Sequence, residues 1–242
     1  MQARVNLFAA PGGDTTQIVK TAEYLERLGI LCDIVITPVR DYRAYDLVHL
    51  FNVTRIQETY CFARDAKARG KAVVLSTIYW DNEETERVAD VGWRRHITGG
   101  LTLDQNERLK GLWRMLAEGQ VSAANMQLVL KGFVRLQRET LRYVDWYLPN
   151  SEMEMTLFRS KVAAGRVMPY AVIPNGADVT TDAELSSEHA SFDGCVLCVG
   201  RIDGRKNQLN LVRAMRESAI PLVFVGQPAP NHISYMNRVM RE

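Results

Sequence analysis

No apolar run in this chain approaches the roughly 18 residues that a membrane-spanning helix needs, so no helical membrane span is expected. Cysteine is scarce, with four in 242 residues, too few for a disulfide-built secreted scaffold. Two of them, Cys195 and Cys198, share a CxxC spacing. No second CxxC and no histidine pair lies near to complete a zinc site. Residues three apart in a strand point to opposite faces. These thiols are therefore expected as small core residues in a reducing cytoplasm, and no metal site is expected. Strong charge of one sign is also missing. A net charge of +2 is too mild to argue for a nucleic-acid partner. The N-terminal MQARVNLFAAPGG has an apolar stretch only as long as a strand, so no secretory leader is expected.

What is present has an ordinary globular composition, 47% hydrophobic and 24% charged, and room for one large or two small domains. Strand-like apolar runs alternate with helical patterns. Strands are expected at residues 5–10, 31–37, 45–51, 71–77, 145–149 and 170–173. Helices are expected from Asp14 or Thr15 to about Leu28, with Ile18, Val19, Ala22, Leu25 and Leu28 on the buried face, and from about Arg55 to Arg69. Such alternation implies a parallel, doubly wound α/β sheet. Ligands of such sheets bind beyond the carboxyl ends of the strands, which singles out Asn52 and the turn Pro11-Gly12-Gly13. That turn is not the GxGxxG of dinucleotide enzymes. His49 lies inside an apolar run and is expected as a core residue.

Residues 83–143 are expected to be helical, with a break at residues 98–100. In the last helix, about 123–143, Lys131, Arg135, Arg138 and Arg142 recur at steps of four, three and four and fall on one face. Leu130, Phe133, Val134, Leu141 and Val144 are its expected buried side. With Trp93-Arg94-Arg95 and Trp113-Arg114, the stripe offers docking on an anionic membrane or a phosphorylated, lipid-linked acceptor. A solvated charged face is the other reading. Ser151 is expected to cap a short helix. Pro174-Asn175-Gly176 and the polar residues 180–193 read as a linker.

The most informative stretch is residues 194–208, GCVLCVGRIDGRKNQ. A valine-rich run at 195–199 reads as a buried strand. Gly200 lets the chain turn, and Arg201, Arg205 and Lys206 follow before a helix at 207–217. A further strand is expected at 222–225 and a helix near 233–241. Helix N–H groups and fixed cations together suit an anion, and a diphosphate most of all, because Arg grips it in a fork and Lys adds a point charge.

This stretch resembles the "GR…KN" turn of the GT-B glycosyltransferases of family 4. Val172-Ile173-Pro174-Asn175-Gly176-Ala177-Asp178 is similar to the family's linker, and Asp145 to Glu152 (DWYLPNSE) to its strand and turn. Pro11-Gly12-Gly13 falls where the family has its glycine loop. The resemblance implies a Rossmann-like acceptor-side domain at 1–173, a linker at 174–193 and the start of a nucleotide-sugar domain at 194–242. A domain needs on the order of 100 residues, so the second is expected to be incomplete. The family's Glu–x7–Glu signature would lie beyond Glu242. The resemblance further implies a nucleotide-diphosphate sugar donor, a glycan or lipid-linked acceptor, transfer with retention, and neither metal nor cofactor. It assigns Gly12, Gly13, Arg201 and Lys206 to the diphosphate. Where many members carry His-Asp, this chain has Tyr79, Trp80 and Asp81. Asn52, Tyr79 and Asp81 are thus the candidates for sugar or acceptor contacts, with Asp81 the only catalytic candidate. The expected location is the cytoplasm, at the inner membrane face if the basic stripe docks. Two alternatives stand beside this reading: an inactive GT-B fragment acting as a binding module, and a sugar-nucleotide epimerase of the same fold.

Overall fold

The structure, a computed structural model, describes residues 1–9, 11–38, 41–81, 101–116, 119, 121–163, 166–178, 192–228 and 232–242. Residues 83–100 of the expected helical stretch, with its break at 98–100 and Trp93-Arg94-Arg95, and the polar stretch 180–191 lie outside these residues. The chain is mixed α/β and divides into two units. The first comprises Met1–Asp81 and Leu101–Gly176, and the described part of the second lies within Ala177–Glu242.

The first unit holds a parallel sheet of β1 (Leu47–Phe51), β2 (Ala72–Ser76) and β3 (Trp146–Tyr147), in that spatial order. β1 and β2 pair Leu47 with Ala72 through Phe51 with Ser76. Single bridges extend the sheet: Gln2 pairs with both Val35 and Leu50, and Tyr147 pairs with Tyr170, all in parallel. The segment at Gln2 therefore lies between residue 35 and β1. The order of crossovers reverses beside it, which makes a topological switch point at the carboxyl end of β1. Helix α1 (Gly13–Arg27) closes a small cluster of Ala3, Leu7, Ile18 and Phe51. Helix α2 (Ile56–Ala68) supplies Ile56, Tyr60, Phe62, Ala63 and Ala66 to the larger core, with Leu75, Tyr147 and Phe158.

Of two expected strands, one turns instead and the other shrinks to a bridge. Residues 5–9 turn instead of extending, because Arg4 folds the segment back: its guanidinium donates to Asn6 O at 2.9 Å and to Asn6 Oδ1 at 2.8 Å, and pairs with Asp14 at 2.7 Å. Val5 and Phe8 are consequently exposed. Residues 31–37 keep only the bridge at Val35, and Leu31 is 98% exposed. The cap of α1 is Gly12 rather than Asp14 or Thr15. On that helix Ile18 and Ala22 are buried, while Val19 and Leu28 are exposed.

The long helix expected at 123–143 is broken. Helices α3 (Leu103–Leu116), α4 (Ala123–Lys131) and α5 (Phe133–Thr140) occupy this region, and Gly132 between the last two has φ +85°. A conformation so open to glycine and so costly for other residues ends α4. One ion pair then caps both sides of the break. Asp104 pairs with Arg108 at 2.8 Å and accepts from Val134 N–H at 3.1 Å, at the start of α5. Arg108 donates to the carbonyls of Val129 at 2.9 Å and Lys131 at 3.0 Å, at the end of α4. Charge and terminus match at both helix ends. Replacing Asp104 with alanine is expected to cost about 1 kcal/mol, the usual worth of such a cap. Urea unfolding measures it, and an unchanged midpoint would show the knot to be idle. Burial would raise the Asp104 carboxyl, but hydrogen bonds from Arg108 and Val134 outweigh it and hold it below its ordinary 3.8. Its contribution is therefore complete above that value and fades as the pH falls through the lowered one.

Beyond β3, Ser151 caps helix α6 (Glu152–Phe158), accepting from Glu154 N–H at 3.1 Å. The second unit contains β4 (Val196–Val199), a short 3-10 turn (Gly204–Lys206), α7 (Gln208–Met215), β5 (Leu222–Val225) and α8 (Ile233–Val239). β4 and β5 pair in parallel from Val196 with Leu222 to Val199 with Val225. α7 and α8 enclose Ile202, Leu209, Tyr235 and Val239, with Phe224 packed against them. Leu197, Val199 and Val225 alternate with this packed side and stand exposed. Among the described residues no helix is long and apolar enough to cross a membrane.

Candidate functional site

The sequence points to two rims, one in each unit, both at the carboxyl ends of parallel strands. In the first unit β1 runs into Asn52 (φ +76°), and β2 is followed closely by Ile78 (φ +42°). Left-handed backbone costs a β-branched residue such as Ile78 on the order of 1–3 kcal/mol. Packing against the Phe51 cluster holds it there. Asn52 spends its Oδ1 on its own loop, accepting from the N–H and the hydroxyl of Thr54, each at 2.6 Å. Beside it, Gln2, Arg4, Asp14, Asn52, Arg55 and Glu58 line a cleft at the switch point with about 10 Å³ of free space, room for about one water. Gln2 is buried there with its Nε2 unpartnered among the described residues. Arg4 and Asp14 fill the rest. Burial would raise the Asp14 carboxyl, but its bonds to Arg4 keep it below the usual range.

At the start of α1, Thr15 accepts from Gly12 N–H at 3.0 Å and donates to Leu7 O at 3.1 Å. Gly12 N–H is thus already engaged. Among the described residues Gly13 has no neighbour within 4 Å of where a Cβ would sit, so none of them requires a glycine there. Tyr79 packs edge-on against Phe158, and its N–H donates to Glu154 at 2.8 Å. Asp81 pairs with Lys161 at 3.1 Å. Glu154 was not foreseen. Its carboxylate also accepts from the Thr77 hydroxyl and, at 2.8 Å, from Asn150 N–H, so it ties the loops after β2 and β3 together. The signal was available: Ser151-x-x-Glu154 is a capping-box spacing.

The second rim is more concentrated. Gly200 leaves β4 at φ +147° and Gly226 leaves β5 at φ +152°. Asp203, 2% exposed, accepts from the N–H groups of Arg205 at 3.0 Å and Lys206 at 3.2 Å. The same carboxylate stands 3.6 Å from Arg201 and 3.5 Å from Arg205. Lys206 has no ion pair among the described residues, and its Cε lies 3.9 Å from where a Cβ on Gly200 would be. Arg205 is 54% exposed. Asn207 takes the left-handed conformation (φ +58°), so α7 begins one residue later than expected. Gln208, almost wholly buried, donates to Arg201 O at 2.9 Å. One buried carboxylate thus organises a turn carrying Arg201, Arg205 and Lys206, and the turn keeps a net positive charge. Neither Asp203 nor Gln208 was singled out by the sequence, because their roles depend on burial.

The basic stripe does not form one face. Gly132 separates Lys131 from the rest, and Arg142 lies past the end of α5. Glu139 takes Lys131 at 2.6 Å and Arg135 at 2.8 Å, and Lys131 also donates to the Tyr60 hydroxyl at 2.7 Å. Arg138 and Arg142 remain exposed, and Leu130, expected to be buried, is 71% exposed. His49 is a core residue stacked on Phe51 and hydrogen-bonded to the Ser76 hydroxyl at 2.9 Å. All four cysteines are free thiols. Cys61 is buried, and burial pushes its thiol up to about 11. Cys195 and Cys198, expected as core residues, are only half-buried. No protein-family model matches the chain, and no curated protein is significantly similar to it.

Proposed function

We propose that the chain works as a GT-B glycosyltransferase of the family 4 type, moving a sugar with retention from a nucleotide-diphosphate donor to a glycan or lipid-linked acceptor. The observation that supports this reading best is the turn after β4. There a buried Asp203 fixes the backbone from which Arg205 and Lys206 project, and Gln208 holds the carbonyl of Arg201, next to a strand end that Gly200 leaves without a side chain. Departure of a nucleoside diphosphate builds negative charge, and cations already held in place lower the barrier to it. In this reading Arg201 grips the diphosphate and Lys206 adds a point charge, while Asp203 and Gln208 position the turn. Asn52, Tyr79 and Asp81 remain the assignments for sugar or acceptor contacts, and Gly13 for a further diphosphate contact, Gly12 N–H being held by Thr15.

Calorimetric titration of the whole chain with UDP and GDP tests the reading. One of the two is expected to bind, and Lys206→Ala to weaken it by about 2 kcal/mol, roughly thirtyfold, as for a phosphate that loses a charged partner. Asp203→Asn keeps an acceptor for the turn and removes the opposing charge, so it is expected to bind more tightly. A folded protein that takes neither nucleotide at millimolar concentration overturns the proposal.

A further inference from the structure

The helices of the first unit carry an apolar face that nothing in the described chain covers. On α3, Leu109, Leu112, Trp113 and Leu116 are 50, 40, 65 and 77% exposed. Their spacing of i, i+3, i+4 and i+7 sets them on one stripe. Gly111, on another side of the same helix, is buried, and a Cβ there would stand 3.1 Å from Leu128 of α4. α3 therefore packs inward through its glycine and turns its apolar stripe to solvent, the reverse of an ordinary surface helix. Met126 and Leu130 of α4 are 46 and 71% exposed.

The charges around this stripe are sorted. At about 100° per residue, Arg108 and Lys110 flank it on either side, and no carboxylate of α3 shares it. In each ion pair of this helix group the cation is the more exposed partner. Side-chain exposures are 39 against 30% for Arg108 and Asp104, 44 against 13% for Lys110 and Glu107, and 69 against 17% for Arg135 and Glu139. Arg138 and Arg142 add exposed positive charge.

We infer that the α3–α4 face docks on a lipid bilayer containing anionic headgroups. The leucines and Trp113 enter the headgroup–acyl boundary, and the exposed Lys110 beside them meets lipid phosphates. Trp, with an apolar body and one N–H, suits that boundary. A second copy of the chain fits less well. A two-fold contact sets the same patch against itself, so the flanks, where the cation is the more exposed member of each pair, would meet like with like. The inference stands apart from the transferase reading.

Sedimentation of the whole chain with phosphatidylcholine vesicles, with and without phosphatidylglycerol, tests it. Binding is expected to be at least about tenfold stronger to the anionic vesicles and to weaken with salt. The double variant L112E/L116E is expected to lose it by at least about tenfold, with thermal unfolding unchanged because both side chains are exposed. Equal affinity for both vesicle types, no binding to either, or full binding by the double variant overturns the inference. So does a dimer in size-exclusion chromatography that the double variant dissolves.

Discussion

Gly226→Ala is expected to destabilise the second unit by about 3 kcal/mol or more, the upper range for a clash that cannot relax. Gly226 sits at φ +152°, where an L side chain is strained before any neighbour is considered. A Cβ there would also overlap the carbonyl oxygen of Gly200, with the carbonyl carbon 2.7 Å away. A flexible side chain could swing aside, but this obstacle is backbone. It is pinned by the parallel pairing, since Gly200 N–H donates to Val225 O at 2.8 Å and Ile202 N–H to Gln227 O at 3.1 Å. Relief would therefore require opening the ends of β4 and β5, the ends that carry the Arg201–Lys206 turn. Hydrogen exchange resolves the outcome by region. Amides of β4, β5 and α7 should lose protection, while those of β1 and β2 keep it. A variant as protected as the parent in the second unit would mean that the strand ends part without cost.

The same glycines show how far the sequence could be read. Apolar runs such as residues 45–51 and 71–77 announced their strands, because burial of a parallel sheet demands continuous hydrophobicity and little else competes there. The Gly200 turn and its cluster of cations were legible for a similar reason, since both follow from residue type and spacing alone. Gly226 was visible only as the end of a strand, since the clash that requires glycine comes from another strand. Residues 5–9 misled because an apolar run does not reveal that Arg4, just before it, will find Asp14. Gly132 misled in the opposite way. A lone glycine is tolerated in many helices, and only the Asp104–Arg108 pair, brought from α3, makes a break there favourable. Glu154 is a short-range cap in sequence, yet its weight comes from joining Thr77 and Tyr79 to Asn150, which meet only in the folded chain. Asp203 caps only its own turn, and its weight comes from its burial there.

Acid should expose a second strong dependence, centred on His49. The imidazole is 7% exposed between β1 and β2, and its Nε2 contacts the Ser76 hydroxyl at 2.9 Å. A hydroxyl supplies a neutral hydrogen bond and nothing that would compensate a buried cation. Burial first, and the charge of the N-terminal ammonium second, lower this histidine from its ordinary 6.5 to about 3. The unfolded chain takes up a proton at His49 below 6.5, while the folded chain declines it until about 3. The unfolded state binds more protons throughout that window, so stability falls as the pH falls, by up to about 1.4 kcal/mol per unit. Urea midpoints of the parent and of His49→Gln, taken from pH 7 to pH 4, isolate this contribution. Glutamine does not titrate and keeps a polar group for Ser76, at the cost of the ring stacked 4.0 Å from Phe51. The parent is expected to be the more stable at pH 7 and to lose that lead as the pH drops. A difference that stays constant from pH 7 to pH 4 would mean that the folded protein protonates His49 as readily as the unfolded one, and that the strand pair opens to water there.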